Sequence, residues 1–387
     1  MRTVAVVGAS LAGLSAARAL RSRGFDGRLI VIGDEPHRPY DRPPLSKEFL
    51  AGTASEADLA LEHDDEDLAA EWVLGTRATG LDGRARTVRL ADGREFRADG
   101  VVVATGAAAR TLPGTEGLDG VHVLRTLDDA LALRAELALG GRLVVIGAGF
   151  VGAEVASTAY TLGLDVTLVE AAPVPLAGPL GEAMARVVAE LHADHGVRLL
   201  CGTGVRGLTG RGRVQGVRLA DGRTLPADTV VVGIGARPCV EWLAGSGLAL
   251  GDGVTCGSDG RTGIPEVAAV GDCAEWYDPY AGGHRRIEHW TGALERPDLA
   301  VAALLAGGAS LPAVPRPPYF WSDQYGVRLQ FAGHADAADG VTVEEGALAD
   351  RSFLAVYRRA GAPVAVLGMN RPKPFTRMRR QLAAVGI

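Results

Sequence analysis

The chain has 387 residues, of which 47% are hydrophobic and 22% charged, and it carries a formal net charge of -6. This composition is typical of a globular protein with a sizeable interior, and the length suggests two or three domains. The negative charge argues against nucleic acid as the main partner. Since no run of about 18 apolar residues indicates a membrane span, we expect a cytoplasmic protein with no membrane partner.

The cysteines stand far apart in the sequence, and none belongs to a Cys-x-x-Cys pair. Isolated thiols of this kind favour a reducing compartment over a disulfide framework or a zinc site. We therefore predict no metal site. These residues are Cys201, Cys239, Cys256 and Cys273.

Two stretches of the chain repeat one α/β pattern. "VAVVGASLAG" (4–13) is echoed by "LVVIGAGFVG" (143–152), and each reads as a buried strand, a glycine turn and an alanine-rich helix. "VRLADGR" begins at Val88 and again at Val217, and its Asp-Gly pair predicts a hairpin turn. A buried strand that ends in a glycine turn follows in both copies, as "DGVVVATGA" and "DTVVVGIGA". The repeat predicts two Rossmann-like dinucleotide-binding units.

After the second copy the pattern changes. "LPAVPRPPYF" (311–320) reads as a linker. "VRLQFAGHA" and "FLAVYRRAGAPVAVLGM" alternate as antiparallel strands do, and the tail from Arg371 predicts a short closing helix. The fold class is therefore predicted as α/β, with two Rossmann-like domains and a C-terminal α+β domain.

The second glycine turn holds a complete GxGxxG motif, formed by Gly147, Gly149 and Gly152 between a strand and a helix. In such a motif the helix N-terminus presents unpaired N–H groups and a positive dipole to a pyrophosphate. Glu170 ends the next strand, where a carboxylate accepts hydrogen bonds from ribose hydroxyls and repels a 2′-phosphate. This arrangement favours NADH over NADPH, and the alternative is a tight structural turn.

The first glycine turn departs from the motif, because Ser10 takes the place of the middle glycine between Gly8 and Gly13. Read alone, this turn fits a structural role equally well. Because the second copy repeats its architecture, we predict a dinucleotide site in which the Ser10 hydroxyl contacts phosphate. Its acidic partners are Asp34 and Glu35, at the end of the next strand.

These turns occur together with "YDRPPLSKEFL", "GDCAEW", "RIEHWTGALE" and "PYFWSDQYG". With these motifs the chain resembles, over essentially its whole length, the FAD-dependent, NADH-oxidising ferredoxin reductases of oxygenase electron-transfer chains, which are relatives of the apoptosis-inducing factor flavoproteins. The resemblance implies that FAD binds a discontinuous domain of residues 1–112 and 238–312. It implies NADH in a domain of residues 113–237, followed by a C-terminal α+β domain of residues 313–387.

The resemblance also implies roles for single residues around FAD. Asp34 and Glu35 would hold its adenosine ribose, and Arg42 would pair with its pyrophosphate. Arg125 would lie close to FAD at the domain seam, and Asp272 would bond the ribityl chain. A solvated charge at Arg42 and a simple turn residue at Asp272 are the structural alternatives.

At the flavin ring, the resemblance places Glu154 against the nicotinamide of NADH. The isoalloxazine would be lined by Glu288, His289, Trp290 and Trp321. Ordinary core packing is the alternative for the histidine and the tryptophans. The other predicted cofactor contacts are Ala12, Ala78 and Gly235.

The chain departs from the family pattern after this motif. Family members usually carry an asparagine where Gly292 stands, and a glutamine-glycine pair where Arg296 and Pro297 stand. We expect the first change to loosen hydrogen bonding on the flavin side. We expect the second to alter a helix start on the surface where an electron partner docks.

Lys47 is one of two lysines in a chain that otherwise uses arginine, the other being Lys373. It ends "DRPPLSK", where the flavin disulfide reductases that resemble this protein carry a cysteine pair. With no cysteine there, a dithiol relay is excluded, and electrons leave the flavin one at a time to an external acceptor. A compact ammonium would stabilise the electron-rich flavin, and we expect it to pair with Glu154. The alternative is a surface lysine at a helix start.

We expect an NADH-dependent, FAD-containing ferredoxin reductase in which Lys47, Glu154 and Trp290 are the catalytic residues. It would pass single electrons to a two-iron two-sulfur ferredoxin that supplies an oxygenase, and it would be a monomer or a weak homodimer. The arginines of "RPKPFTRMRR" and "GHRRIEHW" either form a basic patch for an acidic ferredoxin or are solvated surface charges. The alternative function is a redox sensor of the apoptosis-inducing-factor type, and an NADH oxidase is a weaker third possibility.

Overall fold

The computed structural model describes residues 1–115, 117–279, 281–307, 311–312 and 316–384. Within these ranges, every helix is too short or too polar to span a lipid bilayer. The helices are α1 (Leu11–Ser22), α2 (Leu127–Leu137), α3 (Phe150–Thr161), α4 (Ala177–Leu180), α5 (Glu182–Asp194), α6 (Trp290–Leu305) and α7 (Pro372–Ala384). Short 3-10 helices cover Pro43–Ser46, Ala57–Leu59, Glu241–Leu243, Gly271–Cys273 and Ala335–Ala337.

The strands form several separate sheets and are numbered in chain order. They are β1 (Thr3–Val7), β2 (Arg28–Ile32), β3 (Ala70–Val73), β4 (Ala78–Asp82), β5 (Thr87–Leu90), β6 (Glu95–Arg97), β7 (Gly100–Val103), β8 (Ala107–Ala109), β9 (Val121–His122), β10 (Arg142–Ile146), β11 (Asp165–Val169), β12 (Arg198–Leu200) and β13 (Val205–Arg211). They continue as β14 (Arg213–Leu219), β15 (Thr224–Pro226), β16 (Thr229–Val232), β17 (Ala236–Pro238), β18 (Val254–Cys256), β19 (Val267–Ala269), β20 (Ala274–Asp278), β21 (Gly283–Arg286), β22 (Tyr319–Gln324), β23 (Val327–Gly333), β24 (Gly340–Ala347), β25 (Ser352–Arg359) and β26 (Ala362–Met369).

Each glycine turn follows the central strand of a five-stranded parallel sheet. The first sheet has the order β19-β7-β1-β2-β3, and the second, taken in the same direction, has the order β9-β16-β10-β11-β12. The central strands β1 and β10 pair in parallel on both sides. Their unbroken apolar runs suit strands that are buried on both faces. The repeat in the sequence is thus a repeat of topology, and the predicted α/β class is confirmed.

Two smaller features of the repeat are also confirmed. The first "VRLADGR" covers the end of β5 and the turn that leads to its antiparallel partner β6, and the second covers the end of β14 and the turn that leads to β15. In each copy the Asp-Gly pair lies in the turn between the two strands. Each hairpin belongs to a three-stranded sheet, with the order β4-β5-β6 or β13-β14-β15.

The path of the chain interleaves the two sheets. It leaves the first sheet after β7, builds the second sheet, and returns to the first with β19. The antiparallel pair β8–β17 lies where the chain crosses between them. This path accounts for a discontinuous first unit, and the exact domain limits given above stay a prediction.

The C-terminal part is an antiparallel sheet with the order β22-β23-β26-β25-β24. Phe375 and Leu382 of α7 are buried against one face of it. The predicted antiparallel strands and closing helix are therefore confirmed as far as residue 384. Residues 313–315 of the proline-rich stretch and residues 385–387 of the tail lie outside the described residues.

The other face of this sheet shares a hydrophobic core with the second sheet's helices. Val188 and Leu191 of α5 belong to the same buried cluster as Leu329 and Phe353. The buried Tyr357 hydroxyl adds a polar link, because it donates a hydrogen bond of 2.6 Å to the carbonyl of Leu180. The C-terminal sheet is therefore packed against the second unit as part of one interior.

This contact generates a stability prediction. Tyr357→Phe should lower the apparent unfolding free energy by about 1 kcal/mol, because the buried carbonyl of Leu180 loses its donor. Urea denaturation followed by fluorescence measures the change. Tyr277→Phe is the control, since this ring is 41% exposed and should leave the midpoint unchanged. Equal midpoints for both variants would contradict the assigned link.

Candidate cofactor site

A cavity of about 1110 Å³ opens at the carboxyl ends of the strands of the first sheet. Its wall includes Gly8 after β1, Gly33 after β2, Gly106 after β7 and Gly271 after β19. The crevice at this edge of a doubly wound sheet is where such folds bind ligands. The cavity extends to Trp321 of β22, so it also touches the C-terminal sheet.

Most of the predicted cofactor residues line this cavity. Those that do are Gly8, Ser10, Ala12, Asp34, Glu35, Arg42, Lys47, Ala78, Arg125, Glu154, Asp272, Glu288, His289, Trp290 and Trp321. The predicted residues that lie outside its wall are Gly13, Gly147, Gly149, Gly152, Glu170 and Gly235. Apart from Gly13, all of the latter belong to the second glycine turn or follow strands of the second sheet. Glu154, on the helix that follows this turn, does reach the cavity wall.

At the first glycine turn, Arg42 joins several elements. Its guanidinium pairs with Glu35 at 2.6 Å, donates to the carbonyl of Arg125 at 2.5 Å and reaches the Ser10 hydroxyl at 3.3 Å. Glu35 also accepts from the Tyr40 hydroxyl at 2.5 Å. Ser10 precedes α1 with extended backbone, and its hydroxyl does not cap the helix. The first-turn N–H groups of α1 therefore stay available to a bound anion.

Two more charge pairs flank this turn. Arg125 pairs with Asp272 at 2.6 Å. This ion pair links the segment just before α2 to the segment that follows β19. Asp34 pairs with Arg77 at 2.8 Å, and both side chains are exposed. Asp34 and Asp272, which are predicted to bind the ribose and the ribityl chain, are thus each paired with an arginine of the chain, and this ion pair orients the carboxylate.

Lys47 and Glu154 form an ion pair of 2.7 Å, as predicted, and their side chains are 14% and 7% exposed. The same carboxylate oxygen accepts from the Ser46 hydroxyl at 2.5 Å. Its other oxygen accepts from the Ser322 hydroxyl at 2.7 Å and from the backbone of Asp323 at 3.2 Å. Both carboxylate oxygens are therefore satisfied, which offsets the cost of burying the pair. A surface lysine at a helix start is ruled out.

Aromatic rings close the cavity near this pair. The rings of Trp290 and Trp321 meet edge to face, with centroids 5.8 Å apart. His289 packs against Phe320 at 5.0 Å, and burial lowers the pKa of this histidine to about 4, so its ring is neutral at neutral pH. Its Nδ1 is buried and finds no hydrogen-bond partner among the described residues. Glu288 is paired with Arg286.

Cys239 also lines the cavity, a position that its isolated place in the sequence did not indicate. Burial raises the pKa of its thiol, so the thiolate is disfavoured at neutral pH. All four cysteines are free thiols, and no second cysteine appears in the described cavity wall. A dithiol at this site is therefore unsupported, in line with the sequence prediction.

The second glycine turn lies beside the cavity, since Phe150 and Val151 at the start of α3 reach its wall. Glu170 accepts hydrogen bonds of 2.9 Å from the backbones of Ala148 and Ala172, which fix its carboxylate beside the turn. A methyl group on Gly149 would meet nothing within 4 Å. The middle glycine therefore faces open space, as close approach of a phosphate requires.

The expectation for Arg296 and Pro297 is wrong. Both lie inside α6, which begins at Trp290, and Pro297 is buried instead of lying on a docking surface. The Arg296 guanidinium stacks over the ring of Trp276 at 4.8 Å, and burial lowers its pKa. A side chain at Gly292 would approach this guanidinium to 3.9 Å, so the two departures from the family pattern are neighbours in space.

Comparison with known proteins shows the family to which this chain belongs. The family model described as pyridine nucleotide-disulphide oxidoreductase matches residues 2–296, and one described as reductase C-terminal matches residues 319–386. The chain belongs to the pyridine nucleotide-disulphide oxidoreductase family. Members of this family that reduce ferredoxin bind FAD and NADH, and the cavity and the second glycine turn offer the helix N-termini and carboxylates that these nucleotides need.

Relatives match this chain over nearly its whole length. The ferredoxin reductase component of chlorobenzene dioxygenase from Cupriavidus sp. (strain PS12) is 39% identical, over 98% of this chain and 92% of the relative. Putidaredoxin reductase from Pseudomonas putida is 36% identical, over 97% and 90%. The crystal structure of the covalent complex of putidaredoxin reductase with putidaredoxin matches with a TM-score of 0.93 and 34% identity, covering 99% of this chain and 93% of that one.

Several site residues have no signal in the sequence. Ser46 and Ser322 complete the hydrogen bonds of Glu154, and Asp41 accepts from the indole of Trp290 at 2.7 Å. Asp41 and Ser46 stand inside "DRPPLSK", so the motif marked the right loop without showing which side chains act. Pairs as distant in the sequence as Asp41 and Trp290 leave no local pattern to detect.

Two of the three glycines of the second turn, Gly147 and Gly149, should respond differently to alanine. Gly147 has φ +96°, and a methyl group there would lie 2.3 Å from the carbonyl oxygen of Gly233, so Gly147→Ala should lower the thermal midpoint by several degrees. Gly149→Ala should keep the midpoint and raise the KM for NADH about tenfold, equivalent to about 1.4 kcal/mol. Thermal unfolding and steady-state kinetics measure both, and an unchanged KM in Gly149→Ala would contradict nucleotide binding at this turn.

Proposed function

We propose that this protein is an NADH-dependent ferredoxin reductase that feeds single electrons to a two-iron two-sulfur ferredoxin serving an oxygenase. When bound, FAD accepts a hydride from NADH and releases the two electrons singly. The observation that carries the proposal is the buried Lys47–Glu154 pair, which stands in the cavity where a dithiol would be needed for sulfur chemistry. Relatives named as ferredoxin reductases of dioxygenase systems support it.

In this proposal different residues bind FAD, hold the ammonium of Lys47 in place and exclude water. The start of α1 with Arg42 would bind the pyrophosphate of FAD, and Arg125 would lie close to FAD at the domain seam. Asp34 and Glu35 would hold its adenosine ribose, and Asp272 would bond its ribityl chain. Glu154 holds the ammonium of Lys47 at one place and faces the NADH side, because α3 carries it from the second glycine turn. A cation fixed there favours the arrival of negative charge in the cavity, and the indoles of Trp290 and Trp321 exclude water from the same end.

The ferredoxin would dock beside the C-terminal helix. Lys373 and Arg380 of α7 are exposed and make no ion pair within the described residues. Arg379 stacks over Tyr319 at 4.1 Å, and Tyr319 stacks on the cavity residue Trp321 at 6.0 Å, so the basic helix adjoins the wall of the cavity. The arginines of "GHRRIEHW" are paired with Asp336, Asp252 and Glu288, so this half of the predicted patch is neutralised.

We further propose a cytoplasmic location and a monomeric or weakly dimeric state. The isolated free thiols support a reducing compartment. Sedimentation of the purified protein with and without NADH measures the oligomeric state. A stable dimer that forms only with NADH would favour the redox-sensing alternative instead.

Removing the ammonium tests the role of Lys47. Lys47→Ala should slow reduction of bound FAD by NADH by about 10- to 100-fold, because a preorganised cation is lost. Lys47→Arg keeps the charge, so its rate of FAD reduction should lie between the rates of the wild type and of Lys47→Ala. Lys373→Ala is the matched control, since this lysine is exposed on α7. Stopped-flow absorbance measures the rate, and a wild-type rate in Lys47→Ala would refute the role.

Reversing one charge on α7 tests the docking surface. Arg380→Glu should lower kcat/KM for an acidic ferredoxin by about tenfold at low salt, while the rate of FAD reduction by NADH stays the same. The difference should shrink as the ionic strength rises. Arg84→Glu, an identical charge change at an exposed hairpin turn, is the control. Equal losses in both variants would mean that only net charge matters.

A further inference from the structure

Asp41 has no role in the function proposed above, yet it contacts a ring that closes the cavity. Its Oδ1 accepts a hydrogen bond of 2.7 Å from the indole nitrogen of Trp290. Both residues line the cavity, and Trp290 in turn meets Trp321 edge to face with an interplanar angle of 75°. Asp41 is therefore the polar partner of a packed pair of indoles.

The backbone on the Asp41 side of this bond is held firmly. Its N–H donates to the carbonyl of Leu59 at 2.7 Å. The 3-10 helix Pro43–Ser46 begins two residues later, with prolines at its first positions, which restricts the loop further. Trp290 is the first residue of α6, and the side chain of His289 before it makes no capping bond. The carboxylate thus comes from a restricted loop and meets the first residue of a helix that has no side-chain cap.

Charge reinforces this geometry. Burial raises the pKa of the Asp41 carboxyl, while the indole hydrogen bond and the positive charge of Lys47 favour its anionic form. Lys47 stands at the other end of the same loop and pairs with Glu154 of α3. One short loop therefore presents a carboxylate to α6 and an ammonium to α3.

We propose that Asp41 is a positioning residue that orients the indole of Trp290 in the cavity wall and moderates the positive field of Lys47. The loop "DRPPLSK" then sets the spacing between α6 and α3, with its two prolines as the rigid part. The orientation follows from contacts within the chain alone. Its kinetic consequence rests on the proposed function.

The orientation is tested by near-UV circular dichroism of the purified full-length protein. Trp290→Phe defines the signal that the indole pair contributes. Asp41→Ala should lose at least about half of that signal, because the indole edge loses its acceptor, whereas Asp41→Asn should keep most of it, since an amide oxygen still accepts. Asp64→Ala, at an exposed aspartate, is the control for loss of a carboxylate.

The field is tested by the midpoint potential of bound FAD. Asp41→Asn removes a negative charge without removing the acceptor, so its potential should become more positive, and that of Asp64→Ala should not move. NADH should reduce Asp41→Ala about tenfold more slowly and Asp41→Asn within about twofold of wild type. The ratio of FAD to protein and the thermal midpoint identify any variant that fails to fold. If Asp41→Ala fails, Asp41→Leu, which has nearly the same shape as the aspartate but accepts no hydrogen bond, takes its place in each comparison.

The positioning role, the moderating role and the proposed function would each be contradicted by a different result. A wild-type dichroism signal in Asp41→Ala, where Trp290→Phe changes it, would overturn the positioning role. An equal loss in Asp41→Asn and Asp41→Ala would overturn it as well, and an unmoved potential in Asp41→Asn would overturn the moderating role. If the dichroism behaves as expected but NADH fails to reduce the wild-type protein, the positioning stands and the proposed function fails.

Discussion

The ion pair between Lys47 and Glu154 is the contact on which the rest of the site depends. Lys47 comes from the loop after β2, Glu154 comes from the helix after the second glycine turn, and Ser322 comes from the C-terminal sheet. Each part of the fold thus supplies one member of a single hydrogen-bonded cluster. If either charge were removed alone, the other would remain buried without compensation, which is far costlier than removing both.

This cluster depends on close packing between the first unit, the second unit and the C-terminal sheet. The C-terminal sheet shares its core with α5, and this places Ser322 and Asp323 within reach of Glu154. A cation that has to favour negative charge at one end of a cavity is useful only if it does not move with the charge. The packing of the three parts therefore holds the charge of Lys47 at the position where it favours negative charge in the cavity.

Sequence reasoning recovered the features that repeat or follow a local period. The duplicated glycine turn predicted two sheets of equal topology, and the Asp-Gly hairpins lie where "VRLADGR" placed them. The Lys47–Glu154 pair was predicted by family resemblance together with the missing dithiol. The features that escaped are long-range contacts, such as Asp41 with Trp290, or the thiol of Cys239 in the cavity wall. Arg296 and Pro297 were expected at a helix start on the surface, whereas both lie within α6, because the helix already begins at Trp290.

The central claim is that paired electrons from NADH leave this protein singly, for ferredoxin, without a sulfur intermediary. An anaerobic absorbance titration with NADH, followed by addition of oxidised two-iron ferredoxin, tests it most directly. The account predicts that one NADH per chain bleaches the flavin band and that two equivalents of ferredoxin restore it. A colourless protein, or a flavin that stays reduced after ferredoxin is added, would contradict it.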